Sequence, residues 1–282
     1  MTRLLNVLPL PLLALLAWPA AALELPTHAP VPGGVMHLPL DNTQAEQRPD
    51  VRFQDHPVMV VPSEQTEYAE QAPWVALIGL PLSLQPGTTQ IWVEGEEVAI
   101  NVEPKTYKEQ RITLKNKRQV NPTPLDLERI QREKVEILQA LESWSPSAAP
   151  VTRLEKPTEG PYSSPFGLRR FFNDQPRRPH SGLDIAAPRG TPIKAPAPGR
   201  VVATGDYFFN GRTVILDHGL GLTTMYCHME EISVTVGDEL DTGDTLGTVG
   251  SSGRATGPHL HWGVSLNDAR VDPRLFMEDE AQ

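Results

Sequence analysis

The sequence predicts a mainly β protein: a small N-terminal β-sandwich, one connecting α-helix and a C-terminal antiparallel β domain. Three observations carry this. Short apolar runs recur between turn residues. Proline is frequent, 29 of 282 residues, which disfavours long helices. Only the stretch between Thr123 and Trp144 shows a helical stripe. The length suits two ordinary domains.

The elements follow in order. Met1–Ala22 carries one charge, Arg3, then an apolar run from Leu4 to Trp18, then Pro19 and Ala20-Ala21-Ala22. This pattern predicts a secretory signal cut after Ala22. The alternative is a retained membrane anchor, against which the run contains Pro9 and Pro11 and falls short of the ~20 residues that span a bilayer; no later segment could span either, so no membrane span is expected after signal removal. Residues 23–115 read as the sandwich. Gly33–Leu40 alternates with period 2, Trp74–Leu80 reads as a buried strand, and Gln90–Val93 and Val98–Val102 form a hairpin around Glu94-Gly95-Glu96-Glu97. Residues 116–156 supply the helix and a linker. Thr123 is the predicted N-cap, Pro124 fits the first position, and Asp126 suits the positive end. Leu127, Ile130, Leu138 and Leu141 form the stripe, expected to dock one domain on the other or to lie on the second alone. Residues 157–282 form the last domain. In it Pro188–Val201 and Val236–Gly247 resemble each other, each reading as strand–turn–strand.

Composition excludes several classes. The net charge is −10, so the chain lacks the basic surface of a general nucleic-acid binder, and no nucleic-acid partner is expected. One cysteine, Cys227, excludes an intramolecular disulfide framework and a cysteine-rich zinc module. Alternation along its strand turns Cys227 away from His228 and makes it a small buried residue rather than a ligand. A site here must use His, Asp, Glu and hydroxyl groups.

Five of the eight histidines lie in the last domain: His180, His218, His228, His259 and His261. In His180-Ser181-Gly182-Leu183-Asp184 an imidazole and a carboxylate stand four residues apart, with Gly182 permitting a tight bend. In His259-Leu260-His261 two imidazoles project from one face of a strand, about 7 Å apart at their roots. Two His and one Asp with an open fourth position suit a catalytic zinc rather than a structural one. Such an ion makes water acidic near neutral pH and polarises a carbonyl, and a neutral imidazole beside it can shuttle the proton. His218, at the start of a turn, reads as a structural hydrogen-bonding residue. His28, His37 and His56 are scattered and read as structural or surface residues.

These residues resemble the signature of the lysostaphin-like zinc endopeptidases, the M23 peptidase family: His180-Ser181-Gly182-Leu183-Asp184, Tyr226-Cys227-His228, and Ser251 through His261. The resemblance covers roughly residues 160–276. The region containing Gly33-Gly34-Val35, Gly79-Leu80-Pro81-Leu82 and Tyr107-Lys108-Glu109-Gln110 is similar, more loosely, to the N-terminal β-sandwich domain of proteobacterial members. The resemblance implies the duplicated hybrid motif of a lysostaphin-like peptidase domain, with one Zn2+ per chain on His180, Asp184 and His261. It implies that His228 and His259 flank the open position as catalytic groups. It further implies a periplasmic peptidoglycan hydrolase that cuts D-Ala–diaminopimelate crosslinks. The alternatives are a non-catalytic activator or wall-binding protein of the same fold, which the five filled positions argue against, and a swinging-arm carrier. Lys156 and Lys194, the only lysines after residue 150, are not at the hairpin tip a carrier needs.

Arg169, Arg170, Arg177, Arg178 and Arg189 surround the first motif. They suit either the carboxylates of stem peptides, through paired guanidinium hydrogen bonds, or a solvated surface with local ion pairs. Phe171, Phe172, Phe208 and Phe209 suit groove walls or core. The sandwich or linker is expected to cover part of the groove, since a secreted wall hydrolase needs restraint. Any regulatory protein partner is left unnamed by the sequence.

Overall fold

The computed structural model describes residues 23–41, 46–113, 118, 120–147 and 149–278. The predicted signal segment lies outside them. Among the described residues no helix is long and apolar enough to cross a membrane.

The N-terminal part is built from β1 (Val35–Leu40), β2 (Val51–Phe53), β3 (His56–Pro57), β4 (Met59–Pro62), β5 (Trp74–Gly79), β6 (Gly87–Val93) and β7 (Glu96–Val102). Two antiparallel sheets form, ordered β1-β5-β4 and β3-β2-β6-β7. Period-2 alternation sends Met36, Leu40, Ala76 and Ile78 inward against Val51, Phe53, Ile91 and Ile100, which fill the sandwich. The predicted hairpin joins β6 to β7, with Glu94 and Gly95 at φ 52° and 83°, as a two-residue turn matched to strand twist requires. The opposite face of β1-β5-β4, with Val35, Met59, Val61, Val75 and Leu77, is buried in the core of the C-terminal domain. That sheet is therefore covered on both sides, which explains the unbroken apolar run of β5.

Next come β8 (Glu109–Ile112) and α1 (Pro124–Leu141). Thr123 caps α1 in a reciprocal box with Asp126, and Pro124 opens the helix, as predicted. The helix ends at Leu141, three residues before the expected Trp144. Among the described residues it packs Ile137, Ala140 and Leu141 on β14–β16 of the C-terminal domain, the second of the two placements expected for it. Leu127, placed on the predicted stripe, is 48% exposed. The N-terminal half is instead held by polar contacts: Arg129 donates to the Asp206 carbonyl (2.6 Å), and Glu133 accepts from the Phe208 amide (2.8 Å).

The C-terminal domain contains β9 (Tyr162–Ser164), β10 (Arg169–Phe172), β11 (Gln175–Pro176), β12 (Leu183–Ile185), β13 (Pro192–Lys194), β14 (Gly199–Tyr207), β15 (Gly211–Asp217), β16 (Leu222–Ile232), β17 (Glu239–Leu240), β18 (Thr245–Val249), β19 (Leu260–Leu266) and β20 (Ala269–Val271). The main sheet runs β17-β14-β15-β16-β19-β12-β9. The two similar stretches of sequence lock onto each other, since β13 pairs with β18 and β14 with β17. β8 pairs in parallel with β10, so the interdomain segment lies beside the C-terminal domain. The domains are clasped by Asn267, in the β19–β20 turn. Its amide accepts from the Gly79 N–H (2.6 Å) and donates to the Gly79 carbonyl (3.0 Å). A side chain at Gly79 would collide with the Leu266 carbonyl, so glycine is needed for this approach.

Candidate metal centre

The site forms where β12, β16 and β19 lie side by side. Asp184 on β12 pairs with His261 on β19, which pairs with Cys227 on β16. His180 enters from the turn before β12. Its Nδ1–H donates to the Pro165 carbonyl (2.8 Å), which leaves the Nε2 lone pair facing the site. His180 Nε2 lies 2.9 Å from Asp184 Oδ1 and 2.9 Å from His261 Nδ1, and the third edge, His261 Nδ1 to Asp184 Oδ1, is 2.8 Å. Gly182 makes room for this: a Cβ there would fall 2.7 Å from the His261 ring.

The donor set fits a zinc ion. Zinc bonds of about 2.0–2.1 Å at tetrahedral angles need donor edges of roughly 3.3 Å, within about half an ångström of this triangle. His180 and Asp184 are buried, and His261 is half-exposed. Burial pulls His180 down to about 4, so its ring is neutral near pH 7. Burial works to raise the Asp184 carboxyl, yet the His180 and His261 rings hold it far below the usual carboxylate range. Two imidazole nitrogens and one carboxylate oxygen thus lie within 2.9 Å of one another.

His228 stands beside His261, and His259 stands beside His228. The His228 and His259 ring centroids are 4.8 Å apart, and His228 is 6.1 Å from His261. His228 donates Nδ1–H to the Ser252 carbonyl (2.8 Å), and His259 donates Nδ1–H to the Gly257 carbonyl (2.9 Å). Each ring is therefore oriented with Nε2 as its remaining nitrogen. Burial, with His261 and His259 alongside, pulls His228 down to about 3.

The placement of His228 corrects the simple alternation. Tyr226 and Met229 face the main core, while Met225 and Cys227 face α1. Strict period 2 would send His228 to the core side. The β15–β16 register slips between Arg212 and Val214, and His228 takes φ 63°. This bulge turns its ring toward His259 and His261. Cys227 is buried, as expected, and burial pushes its thiol up to about 12. His218 is a buried structural group, donating to the Pro198 carbonyl (2.7 Å) and lying 2.7 Å from the Thr224 hydroxyl.

The five arginines divide. Arg170 donates to Asp184 Oδ2 (2.9 Å), a role the spacing did not suggest. Arg177 bonds the Val120 carbonyl (2.8 Å), Arg169 approaches Glu109 (3.5 Å), and Arg189 pairs with Glu230. Arg178 is exposed. Phe172 is buried, whereas Phe171, Phe208 and Phe209 are half-buried. Arg254, not singled out from the sequence, stacks over Phe172 (4.8 Å) and Phe209 (4.2 Å). Burial, with Arg170 and Arg177 adding to it, pulls Arg254 down to about 10.

Residues 178–273 match peptidase family M23, and residues 28–105 match the peptidase family M23 N-terminal domain. A crystal structure assigned to peptidase M23 from Pseudomonas aeruginosa is 43% identical, with a TM-score of 0.72 over 88% of this chain and 95% of that one. The chain belongs to peptidase family M23. Other relatives match over part of the chain. The DD-carboxypeptidase/endopeptidase Mpg of Neisseria meningitidis serogroup B is 40% identical over 111 residues, 39% of this chain and 26% of that protein. The peptidoglycan DD-endopeptidase ShyC of Vibrio cholerae is 37% identical over 129 residues, 42% of this chain and 30% of that protein. The chain thus spans less than a third of the length of these M23 relatives.

Proposed function

We propose that this chain is a secreted zinc metalloendopeptidase that hydrolyses peptide crosslinks of bacterial peptidoglycan in the periplasm, with D-Ala–diaminopimelate bonds as its target. The supporting observation is the donor triangle of His180, Asp184 and His261, with the His228 ring 6.1 Å from His261 and the His259 ring beside it. The activities named for the M23 relatives of Neisseria and Vibrio agree with this substrate class. The division into a signal at 1–22, a sandwich at 23–115, a helix and linker at 116–156 and a catalytic domain at 157–282 belongs to the same proposal.

His180, Asp184 and His261 would hold the ion, which supplies Lewis acidity to activate water and polarise the scissile carbonyl. His228 is neutral near pH 7 and anchored through Nδ1, so Nε2 is the atom that accepts the proton of the attacking water and returns it to the leaving amine. His259, anchored through Nδ1–H on the Gly257 carbonyl, presents Nε2 beside His228 as a second nitrogen that can take up a proton during the reaction.

The test uses the chain from Leu23 on purified, dye-labelled sacculi, with products identified by mass spectrometry. Solubilisation that yields cut crosslinks, and that stops with a chelator or with His261→Ala, is the expected result. Undiminished release under both treatments would remove the metal mechanism.

A further inference from the structure

We propose that Arg170 is a positioning residue that fixes how Asp184 meets the metal, and that Gln110, on the strand linking the two domains, holds Arg170 in place. This rests on the metal reading of His180, Asp184 and His261 given above.

The two carboxylate oxygens of Asp184 are used differently. Oδ1 is the corner of the donor triangle, 2.9 Å from His180 Nε2 and 2.8 Å from His261 Nδ1. Oδ2 accepts from Arg170 Nη2 at 2.9 Å. The same Nη2 donates to Ser164 Oγ (3.1 Å), and Arg170 Nε donates to Gln110 Oε1 (3.1 Å). The guanidinium is planar, so contacts to β8, β9 and β12 fix both its position and its tilt. A charge-assisted hydrogen bond on Oδ2 would leave Oδ1 as the oxygen that Asp184 offers to an ion. The positive charge would also draw electron density from the carboxylate and make it a weaker donor.

Arg170, Ser164 and Gln110 all lie outside the matched stretch at 178–273, and Gln110 lies beyond the one at 28–105. The centre is therefore completed by a strand from between the domains. Partners that orient metal ligands in this way typically contribute 10–100-fold to affinity or activity. Gln110 reaches Arg170 only because β8 runs parallel to β10 with Gln110 opposite Arg170.

The test loads the full chain with cobalt(II) in place of zinc and records the visible spectrum, alongside hydrolysis of wall fragments by the zinc form. Arg170→Met frees Oδ2, so the absorption of a four-coordinate ion should weaken and shift as coordination expands. kcat should fall about 10–100-fold with KM nearly unchanged. Gln110→Ala should move both readouts the same way by a smaller factor, and should add nothing in the Arg170→Met background. Arg170→Lys, which keeps the charge, should restore part of the spectrum. Gln110 is only half-buried, so Gln110→Ala carries the test if Arg170→Met does not fold. Cobalt spectra of Gln110→Ala and Arg170→Met that superimpose on the parent would overturn the inference and leave the metal site standing. A parent chain that binds neither cobalt nor zinc would overturn both.

Discussion

At the scale of single residues, the centre depends on which ring nitrogen each backbone carbonyl takes. Pro165, Ser252 and Gly257 carbonyls fix the Nδ1 atoms of His180, His228 and His259, whereas His261 offers Nδ1 itself to the donor triangle. The H-x-x-x-D and H-x-H spacings singled out His180, Asp184, His259 and His261, and the resemblance added His228; the structure brings these rings and the carboxylate close together. The carbonyl partners were not legible in the sequence, because they belong to loops whose course no spacing encodes. Arg170 was legible only as part of a basic cluster, since its carboxylate partner is fourteen residues away across two strands. His228 gives a separable prediction. It sits at φ 63°, a conformation that Asn adopts more readily than most residues. Under the proposed function, His228→Asn should therefore keep the bulge and the bound metal while lowering hydrolysis of wall fragments about 100-fold or more. Zinc content by atomic absorption, read beside kcat, checks it. Loss of zinc together with activity would make His228 a metal-site residue rather than a proton carrier.

At the scale of elements, the sequence reading held where one periodicity governs a whole segment. β1, the β6–β7 hairpin and the N-terminus of α1 all formed where turn residues, alternation and caps agreed. It failed where one residue breaks a period. The bulge in β16 carries no glycine at His228 to announce it, so alternation alone sends that ring to the wrong face. The helix shows the same limit: Leu127 of its apolar stripe is exposed, because polar contacts to Asp206 and Phe208 set its N-terminal half. The β19–β20 turn carries the clearest element-scale prediction. Asn267 and Asp268 take φ 43° and 60°, and Asn267 also clasps Gly79. Asn267→Gly preserves the turn and deletes the clasp, leaving a buried N–H and carbonyl unpaired. It should cost about 1–3 kcal/mol, which for a chain of this size lowers the melting temperature by roughly 2–4 °C per kcal/mol. A melting temperature unchanged by this variant would show that apolar packing alone docks the domains.

At the scale of the whole molecule, one sheet serves two cores. The inner face of β1-β5-β4 fills the sandwich, and its outer face joins Leu183, Val214, Tyr226 and Trp262 in the core of the C-terminal domain. The apolar run of β5 signalled burial, but a single sequence does not say that the second covering layer is another domain. This shared core also buries His37, on the same face of β1 as Val35. Its amide N–H donates to His28 Nδ1 (3.0 Å), its ring lies 3.1 Å from the Tyr68 hydroxyl, and Glu67 stands 3.8 Å away. Burial, followed by the neighbouring His28, pulls His37 down to about 4 from 6.5. The folded state thus holds the proton more weakly than the unfolded chain. Stability should be complete above about pH 6.5, decline as pH falls towards about 4, and lose nothing further from this group below that. The contribution is of the order of 3 kcal/mol. Other buried histidines add to the acid loss, among them His218, whose ring burial also lowers. The His37 share is therefore isolated by difference: urea unfolding of the parent and of His37→Gln at pH 7 and at pH 4.5. The parent should lose more stability between the two pH values than the variant does. Equal losses would mean that the ring is protonated in the folded chain, with Glu67 supplying the compensating charge.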